Sequence, residues 1–273
     1  MIRKLLLVGG DRRALYLEEQ LKKDGYAVAT LGLHAEDEKT ANPVEAEALL
    51  FAYPFSVRDG CVPTMTGLTV HPQDVLRQAE EGAVVLAGRG LELTEGFKWR
   101  RYAEAEELEE RNAEISAEAA VCEAMQRMDR SLMDAMVLVT GYGKFGRALA
   151  KRLKGLGAEV WAAARREKQR LLAASDGMHP IAIGEIRRIL PDIDMVFNTI
   201  PAQVIGEEEL QALQPGGWLL ELASAPYGFD RKKAAEYGLN CDVLPALPAR
   251  YAPYSAGLAL KEAAVKLLKE AEE

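Results

Sequence analysis

The chain has 273 residues, 49% of them apolar, which is enough to bury the cores of one large or two ordinary domains. Its formal net charge of −8 argues against nucleic acid or an anionic membrane as the main partner. The three cysteines, Cys61, Cys122 and Cys241, follow no metal-binding or CxxC spacing, so no metal is expected and they read as reduced thiols.

Met1 to Val8 is too short for a signal peptide and is soon broken by Gly9-Gly10-Asp11. No apolar run approaches the roughly 20 residues of a membrane span. A soluble, cytoplasmic protein is expected. Leu5 to Val8 reads as a buried strand and Ala14 to Asp24 as a helix with Leu15, Leu17 and Leu21 on its apolar positions. Tyr26 to Leu31, Ala48 to Tyr53 and Ala83 to Ala87 read as further strands, and Val75 to Glu80 as a helix. Strands alternating with helices predict a parallel sheet, whose ligands bind beyond the C-terminal strand ends. Arg12, Arg13 and Arg89 fall at such ends and are candidate anion binders, although solvated loop arginines would look the same.

Tyr102 to Met128 contains neither Gly nor Pro, is rich in Glu and Ala, and begins acidic, where a helix dipole favours negative charge. It predicts a long helix joining two α/β units, with Asn112, Ser116 and Glu118 facing either solvent or a cleft. Most of its glutamates read as solvated.

Met136 to Thr140 is an apolar, β-branched run that leads into Gly141-Tyr142-Gly143-Lys144-Phe145-Gly146 and then a helix-like stretch from Arg147 to Leu156. Gly141 permits a tight turn and Gly143 lets the backbone approach a pyrophosphate. Gly146 lets the helix lie close on the sheet, and the N–H groups at the helix N-terminus face the anion. A second strand, Glu159 to Ala164, follows. The position where NAD-binding sites place a carboxylate for the ribose falls on Ala164, followed by Arg165 and Arg166. A guanidinium can pair with a 2′-phosphate that a carboxylate would repel, so NADP(H) is favoured. Strands are also expected at Asp192 to Asn198, Trp218 to Leu222 and Val243 to Leu244, and an amphipathic helix from Ser255 to Glu273 packing back between the domains. The strand at Trp218 to Leu222 ends in Ala223-Ser224-Ala225-Pro226, and the loops Asn198-Thr199-Ile200-Pro201-Ala202 and Ser224 to Gly228 lie at strand ends, where they can hold the ribose and carboxamide.

The expected fold is thus α/β, with two doubly wound parallel-sheet domains joined by a long helix. Residues 1–127 form a flavodoxin-like substrate domain with the linking helix. Residues 128–273 form a Rossmann NADP-binding domain.

Taken together, several of these stretches resemble the family of the dipicolinate synthase A subunit, the NADP-binding dehydrogenase-like component of that enzyme in spore-forming bacteria. The resemblance covers essentially the whole chain. It rests on Gly9-Gly10-Asp11, Asn112 with Glu118, Gly141-x-Gly-x-x-Gly and Asn198-Thr199-Ile200-Pro201. It continues through Glu221-Leu222-Ala223-Ser224-x-Pro226-x-Gly228, Leu247-Pro248, Ala252-Pro253 and Ala256-Gly257. The chain departs from the pattern at Ala14, Glu221, Tyr227, Ala249 and Tyr254. The resemblance implies NADP-linked oxidation of a dihydrodipicolinate-level intermediate during sporulation, with the flavoprotein-like B subunit of dipicolinate synthase as partner. Such a reaction removes a hydride and a proton while two carboxylates are held. Asn112, Ser224 and Arg250 are candidate substrate contacts, and Asp11 or Glu118 the proton acceptor.

Three alternatives stay open. A 2-hydroxyacid dehydrogenase needs a late catalytic His, but the only histidines are His34, His71 and His179, the last read as a loop residue. A shikimate-type enzyme needs a Lys–Asp pair in its first domain, where Lys22, Lys23 and Asp24 look like solvated charge. An NADP-binding regulatory protein is the third. The oligomeric state, a homo-oligomer included, is not written in the sequence.

Overall fold

A computed structural model describes residues 1–37, 42–53, 60–88, 91 and 94–273. The chain divides into two compact units, Met1–Asn112 with Pro248–Glu273, and Ala113–Leu247.

In the first unit the apolar runs become β1 (Lys4–Val8), β3 (Ala48–Phe51) and β4 (Val84–Ala87), with β2 (Ala27–Leu31) and β5 (Lys98–Arg101) at the edges. The sheet is wholly parallel in the order β2-β1-β3-β4-β5, the flavodoxin arrangement. Alternate side chains feed two cores, as the period of two in a strand requires. Leu5, Leu7, Leu50 and Leu86 pack under α1 (Arg12–Lys23), while Leu6, Leu49, Phe51 and Val85 pack under α2 (Pro72–Gln78). The strand order reverses between β1 and β3, and the segments Gly9-Gly10-Asp11 and Ala52-Tyr53 leave the sheet there.

The structure differs from the sequence expectation at several points. β5, Lys-Trp-Arg-Arg, carries no apolar run because it is an edge strand, and edges take charge without cost to a core. The long helix begins after a 3₁₀ turn at Tyr102–Glu104 and runs as α3 (Glu106–Arg127). The unit boundary falls inside it, at residues 112/113 rather than 127/128, and the chain returns to the first unit at Pro248. Accordingly the last helix, numbered α9 (Pro253–Glu272) in chain order, was expected between the domains but packs on α1, β4 and β5 of the first unit.

The second unit contains β6 (Met136–Thr140), α4 (Lys144–Gly155), β7 (Glu159–Ala163), α5 (Glu167–Ser175) and β8 (His179–Ile181). It continues with β9 (Met195–Asn198), α6 (Glu207–Ala212), β10 (Trp218–Glu221), α7 (Arg231–Glu236) and β11 (Asn240–Val243), and α8 (Leu247–Tyr251) follows. All six strands are parallel in the order β11-β10-β9-β6-β7-β8, the doubly wound dinucleotide arrangement with its switch point between β6 and β9. His179, expected in a loop, opens the edge strand β8 and stacks on Trp161, with ring centroids 5.1 Å apart. Among the described residues no helix is long and apolar enough to cross a membrane.

Candidate nucleotide-binding site

β6 is buried from Val137 to Thr140 because it is flanked on both sides, by β7 and by β9. Its C-terminal end is therefore the crevice where the strand order reverses. Gly141 turns the chain out of β6 at φ +94°, a conformation that disfavours any side chain. Its N–H donates to the Ala163 carbonyl at 2.8 Å. A Cβ on Gly146 would collide with the carbonyl oxygen of Gly141, so this glycine is required by the turn as much as by the sheet. Gly143 differs: a Cβ there would meet no protein atom within 4 Å. It is the N-cap of α4, and no side chain caps that helix. The first-turn N–H groups are thus left for an anion.

These residues line a cleft of about 790 Å³ that lies entirely in the second unit. The sequence-predicted Gly141 to Gly146, Ala164, Arg165, Arg166, Thr199, Ile200 and Pro201 all contribute to its wall. So does Ala202, at the end of the loop expected there, and so do Gln169, Ile183, Gly184 and Val204, which the sequence motifs did not single out. They lie in α5, in the 3₁₀ turn after β8 and in the β9–α6 connection, where no motif marks the backbone. The volume, the uncapped helix start and the space over Gly143 suit a dinucleotide pyrophosphate.

Two internal networks hold the wall in place. Tyr142 turns its ring inward and its hydroxyl donates to Asp176 at 2.9 Å. Asp176 also accepts from Arg147 Nε at 2.6 Å and Nη2 at 3.0 Å, and pairs with Lys151 at 3.2 Å. The Arg147 hydrogen bond, with help from Tyr142 and Lys151, holds the Asp176 carboxyl well below the usual aspartate range. Burial and the Asp176 carboxylate push the Tyr142 phenol up. Neither Asp176 nor Arg147 carries a motif signal.

The second network lies under the other wall. Asn198 is wholly buried and does not line the cleft. Its Oδ1 accepts from Thr140 Oγ1 at 2.5 Å, and its Nδ2 donates to the Ile200 carbonyl at 2.9 Å and to Glu221 Oε1 at 2.7 Å. Glu221 further accepts from the N–H of Ala223 and of Gly228, at 3.0 and 2.7 Å. Burial pushes the Glu221 carboxyl up, and these three donors oppose the shift. The Asn198 side chain and the Ala223 N–H, in two residues expected as cofactor contacts, thus fix the loops at the ends of β9 and β10.

Arg165 and Arg166 are exposed along the cleft beside buried Ala164, and neither side chain has a hydrogen bond or ion pair among the described residues. Among those residues no carboxylate lines this cleft.

The proposed substrate and proton-handling residues divide between the units. In the first unit, both Asp11 oxygens are engaged by Arg13: Nε meets Oδ1 at 2.9 Å and Nη2 meets Oδ2 at 2.6 Å. Asp11 also caps α1 through the Arg13 N–H. Arg13 is only 4% exposed and lies over the Tyr53 ring, so it is not an open anion binder. Arg12 is exposed, Asn112 is half-buried, and Arg250 is exposed over the Tyr251 ring. Arg89 lies outside the described residues. In the second unit Glu118 and Ser224 are exposed, while Ser116 is buried. Tyr227 and Tyr254, which depart from the family pattern, are both exposed.

A flavodoxin-order unit combined with a dinucleotide-order unit carrying this glycine-lined cleft defines a two-domain NAD(P)-dependent oxidoreductase. Residues 101–227 match the D-isomer specific 2-hydroxyacid dehydrogenase NAD binding domain, and residues 4–94 the N-terminal domain of the dipicolinate synthase A subunit. The chain is 26% identical over 285 residues to the A subunit of dipicolinate synthase from Bacillus subtilis (strain 168), covering 98% of this chain and 96% of that one. The crystal structure of the Bacillus halodurans A subunit of dipicolinate synthase is similar with a TM-score of 0.87 and 26% identity, covering 97% of both chains. A D-isomer specific 2-hydroxyacid dehydrogenase from Lactobacillus delbrueckii ssp. bulgaricus, solved with NAD, shares the fold at 12% identity and a TM-score of 0.57, covering 97% of both chains. The resemblance to the family of the dipicolinate synthase A subunit, first read from the motifs, is borne out.

Proposed function

We propose that this chain binds NADP(H) in the cleft of its second unit and oxidises a dihydrodipicolinate-level intermediate to pyridine-2,6-dicarboxylate in the cytoplasm. The flavoprotein-like B subunit of dipicolinate synthase is its proposed partner. The observation that carries the cofactor choice is the Arg165–Arg166 pair at the cleft wall, without a side-chain partner among the described residues, beside an alanine where an NAD site would hold a carboxylate. The substrate assignment rests on the family.

In this reading the α4 N–H groups hold the pyrophosphate and the two guanidinium groups take the 2′-phosphate. A bound nicotinamide supplies the hydride acceptor. The loop from Thr199 to Pro201, fixed from beneath by Asn198, flanks the nicotinamide ribose. Arg12 and Arg250 are proposed carboxylate contacts, and Asn112 and Ser224 proposed polar ones. Of the two proton-acceptor candidates we favour Glu118, which is exposed, over Asp11, whose oxygens already face Arg13. A 2-hydroxyacid dehydrogenase reaction is disfavoured, because no histidine follows His179 and that ring is stacked on Trp161 in an edge strand.

The test mixes the purified chain, with and without the flavoprotein-like partner, with freshly generated dihydrodipicolinate and either NADP⁺ or NAD⁺. NADPH absorbance and ultraviolet absorbance of the aromatic product should rise together, and faster with NADP⁺. Products forming only with the partner would make the chain half of an active site. Silence in both arms with NADPH still bound would reject the substrate.

A further inference from the structure

Arg170 lies one turn into α5, and the motifs that mark the cleft do not reach it. Its Nη1 donates to the carbonyl of Ala164 at 3.0 Å and to that of Arg165 at 2.8 Å. These carbonyls belong to the segment that leaves β7, and among the described residues no further strand or helix takes them up. Ala164 itself is tied on its other side, its N–H donating to the Ile181 carbonyl at 3.1 Å. One guanidinium thus closes the short bend that carries Arg165 and Arg166. A neighbouring residue does a similar task, because Gln169 Nε2 donates to the Tyr142 carbonyl at 3.4 Å and links the same helix to the glycine-rich turn.

Two physical consequences follow. The long side chains of Arg165 and Arg166 have no partner of their own among the described residues, so their roots are fixed only through this backbone. Without Arg170 the bend gains freedom, and binding an anion between the two arginines would cost the entropy of ordering it. In addition, two bare carbonyl oxygens would turn negative dipole ends beside the anion site. Arg170 neutralises both with a charge-assisted hydrogen bond.

We propose that Arg170 is a positioning residue that sets the preference for a 2′-phosphorylated dinucleotide by holding Arg165 and Arg166 in place, without touching the phosphate itself. This rests on the NADP(H) reading of the cleft. It makes a distinction that a merely structural arginine would not: the loss should fall on NADPH and spare NADH, which uses the same cleft but lacks the 2′-phosphate.

The experiment titrates NADPH and NADH by fluorescence into the full chain, the Arg170→Met variant, the Arg165→Ala/Arg166→Ala variant and the triple variant. Arg170→Met should weaken NADPH about tenfold, the size of one charge-assisted hydrogen bond, and NADH less than about twofold. In the Arg165→Ala/Arg166→Ala background the same change should leave the NADPH-to-NADH ratio unaltered, since nothing remains to be positioned. A further drop of the ratio in that background would mean that Arg170 acts on the phosphate directly, and would overturn the proposal. Equal weakening of both cofactors, or none, would overturn it too. Should Arg170→Met not fold, Arg170→Lys keeps the charge without the planar fork. It should lose at least about threefold of the preference, and an unchanged preference would overturn the proposal. Failure of the underlying reading looks different: there the Arg165→Ala/Arg166→Ala variant alone leaves the ratio as it was.

Discussion

Glu221 Oε1 accepts a hydrogen bond from Asn198 Nδ2 at 2.7 Å, and both side chains are wholly buried between the ends of β9 and β10. The same carboxylate holds the N–H groups of Ala223 and Gly228, so one side chain closes the loop from Leu222 to Gly228 and braces the loop after Asn198. Glu221→Ala would leave three donors without acceptors in the interior. At about 1–3 kcal/mol per orphaned group, partly relieved by relaxation, the loss should be about 3 kcal/mol in a urea titration. A loss below about 1 kcal/mol would show that the loop closes without it.

The second and third glycines of the turn separate binding from folding. Gly143→Val places a side chain where no protein atom lies within 4 Å, at φ −85°, so the fold should tolerate it. The space it fills is the cleft, and nucleotide binding should vanish while the melting temperature stays within a few degrees. Gly146→Ala forces a methyl group against the Gly141 carbonyl and should cost about 3 kcal/mol or more, lowering melting temperature and binding together. Unchanged NADPH affinity in Gly143→Val would place the nucleotide elsewhere.

That contrast shows what the sequence could and could not disclose. Strand, glycine spacing and helix are local signals, so the turn at Gly141 and the wall from Ala164 to Arg166 were legible as a run of residues. The uses of Asn198 and Ala223 were not. Their position at strand ends is a local fact, but Asn198 faces a Thr140 and a Glu221 brought alongside only by the sheet. The same holds for Asp176, an unremarkable residue after α5 that gathers Tyr142, Arg147 and Lys151. Two edge strands were missed for a different reason. β5 and β8 have few core contacts to encode, so Lys-Trp-Arg-Arg and His-Pro-Ile carry no periodic apolar pattern.

Close helix packing supplies a test away from the nucleotide. Gly257 of α9 lies so near α1 that a Cβ would stand 2.7 Å from the Arg13 carbonyl and 2.7 Å from Tyr16 Cβ. Gly257→Ala should therefore push the helices apart and cost about 1–3 kcal/mol, read as a lower urea midpoint with an unchanged slope. Since Arg13 sits on the same turn, its pairing with Asp11 should loosen as well, visible as faster hydrogen exchange at the start of α1.

Asp176 gives the pH dependence. Its carboxyl is held below the ordinary aspartate value of 3.8 by Arg147, Tyr142 and Lys151, so the ionised form is the one the fold prefers. A group whose pKa falls on folding adds stability above its unfolded value, and that stability is lost as pH drops through the folded one. Asp176→Asn should cost about 2 kcal/mol at pH 7, since the site is nearly closed to water although Arg147 is partly exposed. The gap between wild type and variant should narrow steadily below about pH 3.8, as the wild-type carboxyl takes up its proton. Because the network anchors Tyr142 in the glycine-rich turn, NADPH affinity should fall together with stability. A stability gap that stayed constant from pH 7 down to pH 3 would mean that charge at Asp176 contributes nothing, and that its hydrogen-bonding shape alone holds the turn.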